Sequence, residues 1–599
     1  LQQILRGEWG YKNIIVSDCW AIRDFISDWA HNTHPSDAHA SSDAVISGTD
    51  LECGPVYKSL RKAYEQGLIT EATIDSAVVK LLDYRYRLGE IDSAADVPWN
   101  SYSEATHLNT PAHAAKALEM ARKSMTLLKN NGILPLDPKA GKKIYVMGPN
   151  ANDSVMQWGN YNGFPAHTVT VLEGVRGYVP DAVYERGCSH VVSDNKTSYF
   201  DRIAGGMKAS YWNDHKMEGA PVATATYTTP IRLDGGGATV FAPGVELTNF
   251  SGLYTGTFEA PESGDYIIEF ESSKGDELVT LDGKEVIVRH PEGRQNHKAS
   301  YIFSAEKGSR HDIAVRFKHF EGDATLKFDI LSAKEKPVDF ADADVVIFVG
   351  GISPQLEGEE MKVSVPGFRG GDRESIELPS VQRQLIKKIK DAGKKVVYVN
   401  CSGSAVALTP EDEICDAVLQ AWYPGQAGGR AVAEVLFGDY NPGGRLPITF
   451  YKDDSQLPDF EDYSMVGRTY RYFKGEPLYP FGHGLSYTTF KYGKPKYSST
   501  CVKAGEPVKV TVPVKNTGKM DGDEVVMVYV SCPADVSGPI RNLKGFKRVH
   551  IPAGKTEKVE ITLGGDAFAV FDSESQRVVT RPGKYVVHMP EGEQEIIVE

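Results

Sequence analysis

Nowhere does this chain approach the run of about 20 apolar residues that a membrane-crossing helix requires, so no span is expected. Cysteine is sparse: seven residues, none in C-x-x-C spacing, which speaks against a zinc cluster. Their odd number leaves at least one unpaired. Positive charge is short as well, with 66 Lys and Arg against 80 Asp and Glu, a net charge of -14. That balance argues against nucleic acid or an anionic membrane as a partner and suits a neutral substrate. Tandem repeats and low-complexity tracts are lacking, and the stretch from about 200 to 335 shows no paired-acid calcium loop. The chain opens on Leu1 rather than Met, in mid-element, and reads as a fragment or processed product whose leader would lie outside it.

What is present is ordinary globular material, 41% hydrophobic and 24% charged. At 599 residues it is too long for one core, and several domains are expected. The most informative stretch is Asn13-Ile14-Ile15-Val16-Ser17-Asp18-Cys19-Trp20. Its apolar, β-branched run reads as a buried parallel strand. Asp18 then stands at the carboxyl end, where parallel α/β folds present catalytic groups. A helix over 38–47, a short strand at 48–51 and a helix over 69–88 with Thr70 as cap follow. Residues 92–102 form a polar, Pro-bearing connector.

Beyond it, apolar runs at 143–147, 345–349 and 396–400 alternate with helical patterns such as 381–390, which predicts an α/β sandwich with a largely parallel sheet. Between about 200 and 335 the helical period vanishes. Short alternating runs such as Tyr266-Ile267-Ile268-Glu269-Phe270 predict an inserted β-sandwich. Residues from about 495 to 599 are again all-β.

Val16-Ser17-Asp18 resembles the nucleophile motif of family 3 glycoside hydrolases. The likeness continues in family order through Gly48-Thr49-Asp50-Leu51-Glu52-Cys53-Gly54, Ser124-Met125-Thr126-Leu127-Leu128-Lys129-Asn130, Gly148-Pro149-Asn150-Ala151, Ala421-Trp422-Tyr423-Pro424-Gly425-Gln426, Asn441-Pro442-Gly443-Gly444-Arg445-Leu446-Pro447 and Tyr479-Pro480-Phe481-Gly482-His483-Gly484-Leu485-Ser486-Tyr487. It implies a multidomain α/β plus all-β fold. In order this comprises the C-terminal remnant of a (β/α)8 barrel (1–92), a linker (93–112), and an α/β sandwich (113–199 and 336–455) interrupted by a β-sandwich (200–335) whose Gly275-Asp276-Glu277-Leu278-Val279-Thr280-Leu281-Asp282-Gly283 segment resembles the PA14 domain. A linker (456–494) and a fibronectin type III-like β-sandwich (495–599) complete it. Because such a barrel takes about 250 residues, residues 1–599 alone are expected to show little or no activity. The partners left open are a homodimer mate or a segment or separate chain that completes the N-terminal barrel.

The resemblance implies retaining hydrolysis, which needs two carboxyl groups about 5–5.5 Å apart and no metal or other cofactor. Asp18 is the candidate nucleophile, its alternative role being a helix N-cap. For the acid/base, the resemblance points to the acidic loop Gln355-Leu356-Glu357-Gly358-Glu359-Glu360-Met361 ahead of Asp372-Arg373, with a spacer at 362–370 longer than in many relatives. Glu357 is favoured, then Glu360, then Glu359; a solvated acidic loop is the other reading. Trp20 is expected either to stack on a sugar or to sit in a core. Cys19 and Cys53, at the ends of neighbouring strands, are expected as a disulfide flooring the -1 subsite or as packed thiols. Paired cysteines of this kind are similar to those of the xylosidase-like branch. His31, His34 and His39 read as a solvated loop. The function implied is an exo-acting β-xylosidase with an oligosaccharide substrate, periplasmic or secreted. β-Glucosidase is the alternative, and a non-catalytic or partner-completed carbohydrate-binding fragment the alternative of another class.

Overall fold

Three of the apolar runs pair side by side in parallel because each can bury both of its faces. In the computed structural model, which describes residues 1–599 except 164, 235–239, 274, 290–296, 360 and 362, they form the middle of a six-stranded sheet. Its strands are β1 (Thr126–Asn130), β2 (Ile144–Met147), β3 (Val183–Glu185), β4 (Val345–Gly351), β5 (Lys395–Cys401) and β6 (Ala417–Gln420). Their spatial order is β1-β6-β5-β4-β2-β3, parallel except for β1. Alternate residues enter opposite cores, as the pleat dictates. Val345, Ile347 and Val349 pack with Leu172, Val432 and Leu436, whereas Val346 and Phe348 pack with Leu385, Ile386 and Ile389 of the helix Ser380–Asp391.

The predicted insert is present as two antiparallel sheets, one of six strands between Met207 and His319, the other built on Gly264–Ser272, His297–Ala305 and Thr325–Glu335. Strict alternation, as in Gly275–Leu281, turns one face inward. Tyr254, Phe258, Phe270, Phe317 and Phe328 fill the space between them. The C-terminal strands likewise form two larger sheets around Val510, Val512, Val526, Val528 and Ile596, with a separate two-stranded hairpin of Ala569–Asp572 and Arg577–Thr580. Part of the stretch read as a connector at 456–494 packs on the α/β sheet: Tyr479 is buried, bridges to Phe450, and donates its hydroxyl to Asp412.

Leu1–Thr110 forms a compact unit distinct from Pro111–Glu599. It takes in most of the expected first connector, where Trp99 Nε1 donates to Leu88 O at 3.0 Å. Its helices Asp37–Ser47 and Glu71–Arg87 match the sequence pattern, and the Thr70 side chain accepts from Thr73 N. The buried strand expected at residues 13–16 is a correction. The segment is extended but makes one parallel bridge, Val16 to Leu51, and Val16 is 52% exposed. The expected strand at 48–51 contributes only that same bridge. A parallel strand is buried when neighbours flank both edges and helices cover both faces. Here, Ser17 N donates to Leu51 O and Leu51 N to Ile15 O, on one side only. Among the described residues, no helix is long and apolar enough to cross a membrane.

Candidate active site

In the first unit, the segments carrying Asp18 and Cys53 are fastened together at three levels. Deepest is Asp50, whose buried carboxylate accepts from Arg6 Nη2 at 2.5 Å, Lys80 Nζ at 2.6 Å and Ile15 N at 3.0 Å. Above it, Ser17 Oγ accepts from Cys53 N at 3.0 Å. At the rim, a disulfide joins Cys19 to Cys53, so these residues are not packed thiols. Trp20 N donates to Cys53 O at 2.8 Å, and Trp20 takes a left-handed φ of 67°. That turn leaves the indole 54% exposed rather than in a core, with the Arg23 guanidinium 5.7 Å from its ring centre. Asp18 itself is exposed; its Oδ1 accepts from Cys19 N at 2.9 Å. The helix that follows is capped by Trp20, not by the Asp18 side chain. His34 bonds Asp43 and His39 bonds Ser36, which closes the following loop on itself.

The second acidic group is built at the carboxyl ends of β4, β5 and β6. Asn150 Nδ2 donates to Gly350 O and Ile352 O, and Gln382 brackets the backbone of Gly351, so the root of the loop leaving β4 is rigid. Glu357, on that loop, is half-buried. Its Oε1 accepts from Tyr423 Oη at 2.5 Å and its Oε2 from Ser404 Oγ at 3.4 Å. Ser404 accepts in turn from Arg373 Nη1 at 2.8 Å, and the same nitrogen donates to Ala405 O at 2.8 Å. Gly403 leaves room for this packing, because a Cβ there would stand 3.0 Å from the Tyr423 ring and 3.5 Å from Glu357 Oε1.

Burial, reinforced by the Glu357 charge, pushes the Tyr423 phenol well above its ordinary value, so it remains a donor. Burial pulls the Arg373 guanidinium down, while Glu357 opposes that pull. Beneath Ser404 runs a buried polar chain. Tyr398 Oη donates to Asn400 Oδ1, Asn400 Nδ2 to Ser402 Oγ and Gln420 Oε1, and Ser402 Oγ to Ser404 O at 2.7 Å. A fully paired network of this kind holds its last member in one place.

The other two acids differ. Glu359 is exposed and accepts from the Tyr161 hydroxyl. Glu360 lies outside the described residues. The long spacer becomes a three-stranded sheet of Ser364–Val365, Phe368–Arg369 and Asp372–Arg373, with Phe368 buried. Its second turn holds Gly371, with φ of 94°, where a Cβ would fall 1.8 Å from Gly358 O. Glycine is required there, and the hairpin rests on the backbone beside Glu357. The sequence carried the signal as a Gly-Gly pair ahead of Asp-Arg; Tyr423 and Ser404 carried none that local pattern reveals.

The chain matches the glycosyl hydrolase family 3 C-terminal domain over residues 125–487 and a fibronectin type III-like domain over 524–591. It is 46% identical to a xylan 1,4-beta-xylosidase of Xylanibacter ruminicola, over 98% of this chain and 69% of that protein. With a periplasmic beta-glucosidase of Salmonella typhimurium it shares 28% identity over 98% of its own length and 63% of the relative's. Its fold superposes on a beta-glucosidase from Kluyveromyces marxianus, crystallised with glucose, with a TM-score of 0.74 at 24% identity, covering all of this chain and 74% of that one.

Proposed function

The chain belongs to glycosyl hydrolase family 3, and from that premise we propose that it removes terminal β-D-xylosyl residues from xylo-oligosaccharides by retaining double displacement. In this reading, the Asp18 carboxylate attacks the anomeric carbon while Glu357 gives its proton to the departing glycosidic oxygen. Water then displaces Asp18 from the glycosyl ester as Glu357 takes a proton back, and the β configuration is restored. The observation that carries the assignment of the acid/base is the setting of Glu357. It alone of the described acids on its loop is half-buried, with a donor on each oxygen. A group that changes protonation twice per turnover needs such fixed partners.

The sugar is supported by the 46% identity to the xylan 1,4-beta-xylosidase. It is also supported by the Cys19–Cys53 bridge beside Asp18, proposed to floor the -1 subsite where glucose would carry its hydroxymethyl arm. Trp20, exposed next to the nucleophile, is proposed as a stacking face for the sugar ring. β-Glucosidase is the second reading, favoured by the Salmonella typhimurium relative, whose name also supports a periplasmic location. The exposed Val16 and Leu51 support a further proposal, that additional parallel strands from this or another polypeptide pack beside them as in a (β/α)8 barrel. The antiparallel sandwich is read as PA14-like.

Two measurements on the full-length protein test the reading. Paired nitrophenyl β-xyloside and β-glucoside assays should favour xylose; a strong glucose preference would reverse the substrate. Glu357→Ala should lose about 10²–10⁴ in rate on substrates with poor leaving groups and be rescued by azide with formation of a β-glycosyl azide. An unimpaired variant would remove Glu357 from the chemistry.

A further inference from the structure

The two oxygens of Glu357 are not equivalent. Oε1 is gripped by the Tyr423 hydroxyl at 2.5 Å, whereas Oε2 meets Ser404 Oγ only at 3.4 Å, near the limit of a hydrogen bond. Nor is Ser404 free to swing, because Arg373 Nη1 occupies its oxygen at 2.8 Å and its backbone carbonyl is tied by Ser402. Tyr423 is equally constrained. It follows β6 directly, after Trp422 with its left-handed φ of 64°, and its ring edge meets the bare backbone of Gly403.

We propose that Tyr423 is a positioning residue for the acid/base: by holding Oε1 it commits Oε2 of Glu357 to delivering and recovering the catalytic proton. This rests on the reading of Glu357 as acid/base. As the glycosidic C–O bond breaks, the proton on Oε2 passes to the leaving oxygen, and the electron pair of its O–H bond stays on the carboxylate. The Tyr423 hydrogen bond, neutral before that moment, becomes charge-assisted and shortens the energy gap to the products. In the second half-reaction the same oxygen draws a proton from the attacking water. The loose Ser404 contact is the one that a substrate oxygen can replace, while the tight Tyr423 contact survives the whole cycle.

Among the described residues, the charged and titratable groups facing this carboxylate are few. Arg373 acts on Glu357, and is itself influenced by Asp454. Tyr423 faces Glu357 and the buried Cys401 thiol. Glu359, on the same loop, is engaged by Tyr161; Glu360 and Lys362 lie outside the described residues. A donor to the ionised form favours that form, so its removal lets the acid form persist to higher pH.

Tyr423→Phe in the full-length protein keeps the ring and deletes only the donor. The alkaline limb of its kcat/KM profile should move up by about one pH unit. Turnover of xylobiose, which needs proton donation, should fall about 10- to 100-fold, and that of an activated nitrophenyl xyloside by less. Ser404→Ala, deleting the longer contact, should shift both quantities by a smaller amount. A Tyr423→Phe profile that superimposes on the parent, or a larger displacement in Ser404→Ala, overturns the proposal. Azide rescue of Glu357→Ala stands apart from either result. Rescue with an unmoved Tyr423→Phe profile sinks only the positioning role, whereas an active Glu357→Ala sinks the acid/base assignment itself.

Discussion

Asp18 hangs from two extended segments joined by one bridge, in a unit with two small cores, one of Ala38, Val45, Ala63, Ile69 and Ala77 and one of Ile22, Ala40 and Val56. Glu357 leaves a strand flanked on both edges and covered on both faces. The first acid is located by a covalent staple and a buried carboxylate between two cations, the second by a relay of hydrogen bonds. The difference matches their proposed tasks. A nucleophile stays ionised until it bonds carbon, so its neighbours have only to hold it still. An acid/base alternates between two charge states, and hydrogen-bond donors can respond to that change where a disulfide cannot.

The largest effect should come from breaking the first site's chemistry while sparing its frame. Asp18→Asn is expected to lose at least about 10⁴ in kcat. Stability should stay within about 0.5 kcal/mol, since among the described residues the exposed carboxylate bonds only the adjacent Cys19 N. Thermal melts beside single-turnover kinetics check both halves. Retained turnover would demote Asp18 to the local role of holding the turn.

A smaller effect should follow from removing the staple. Cys19→Ser with Cys53→Ser opens a closure of 34 residues, which is worth about 3–4 kcal/mol in the chain-entropy account. Hydrogen exchange should therefore quicken across the helices Asp37–Ser47 and Glu71–Arg87 and stay unchanged in β2, β4 and β5. Uniform quickening throughout the protein would mean that the two regions are not held independently, and the contrast drawn above would collapse.

Some of this was legible from local pattern and some was not, for identifiable reasons. Strands buried on both faces leave continuous apolar runs, and so β4 and β5 fall within two residues of their expected bounds. Thr70 capped its helix as its residue type suggested. The run at 13–16 has the same composition, but composition reports what a segment can bury, not whether neighbours arrive to cover it. In the acid loop Glu357 was the favoured candidate, yet its selecting contacts come from Ser404 and Tyr423, 47 and 66 residues away. Such pairings depend on strand order across a sheet, and no period in the sequence encodes it. The spacer after the loop read only as longer than in many relatives, although Gly370-Gly371 marked a turn that the hairpin needs to settle on Gly358.

The finest test sets two tyrosine hydroxyls, one on β5 and one just past β6, against each other. Tyr398 is fully buried and donates to Asn400 Oδ1 at 2.9 Å, at the foot of the chain that ends on Ser404; Tyr423 donates to Glu357 directly. Both phenols are pushed far above their ordinary value by burial, so both are permanent donors. Tyr398→Phe should cost about 1–2 kcal/mol in denaturant unfolding, because an amide oxygen loses its partner in the core. Turnover should change by no more than about twofold, with both limbs of the pH profile in place, because the Tyr398 bond meets the same neutral amide in every step. An alkaline limb that moved in Tyr398→Phe as far as in Tyr423→Phe would show that the whole relay, and not the last donor, governs Glu357.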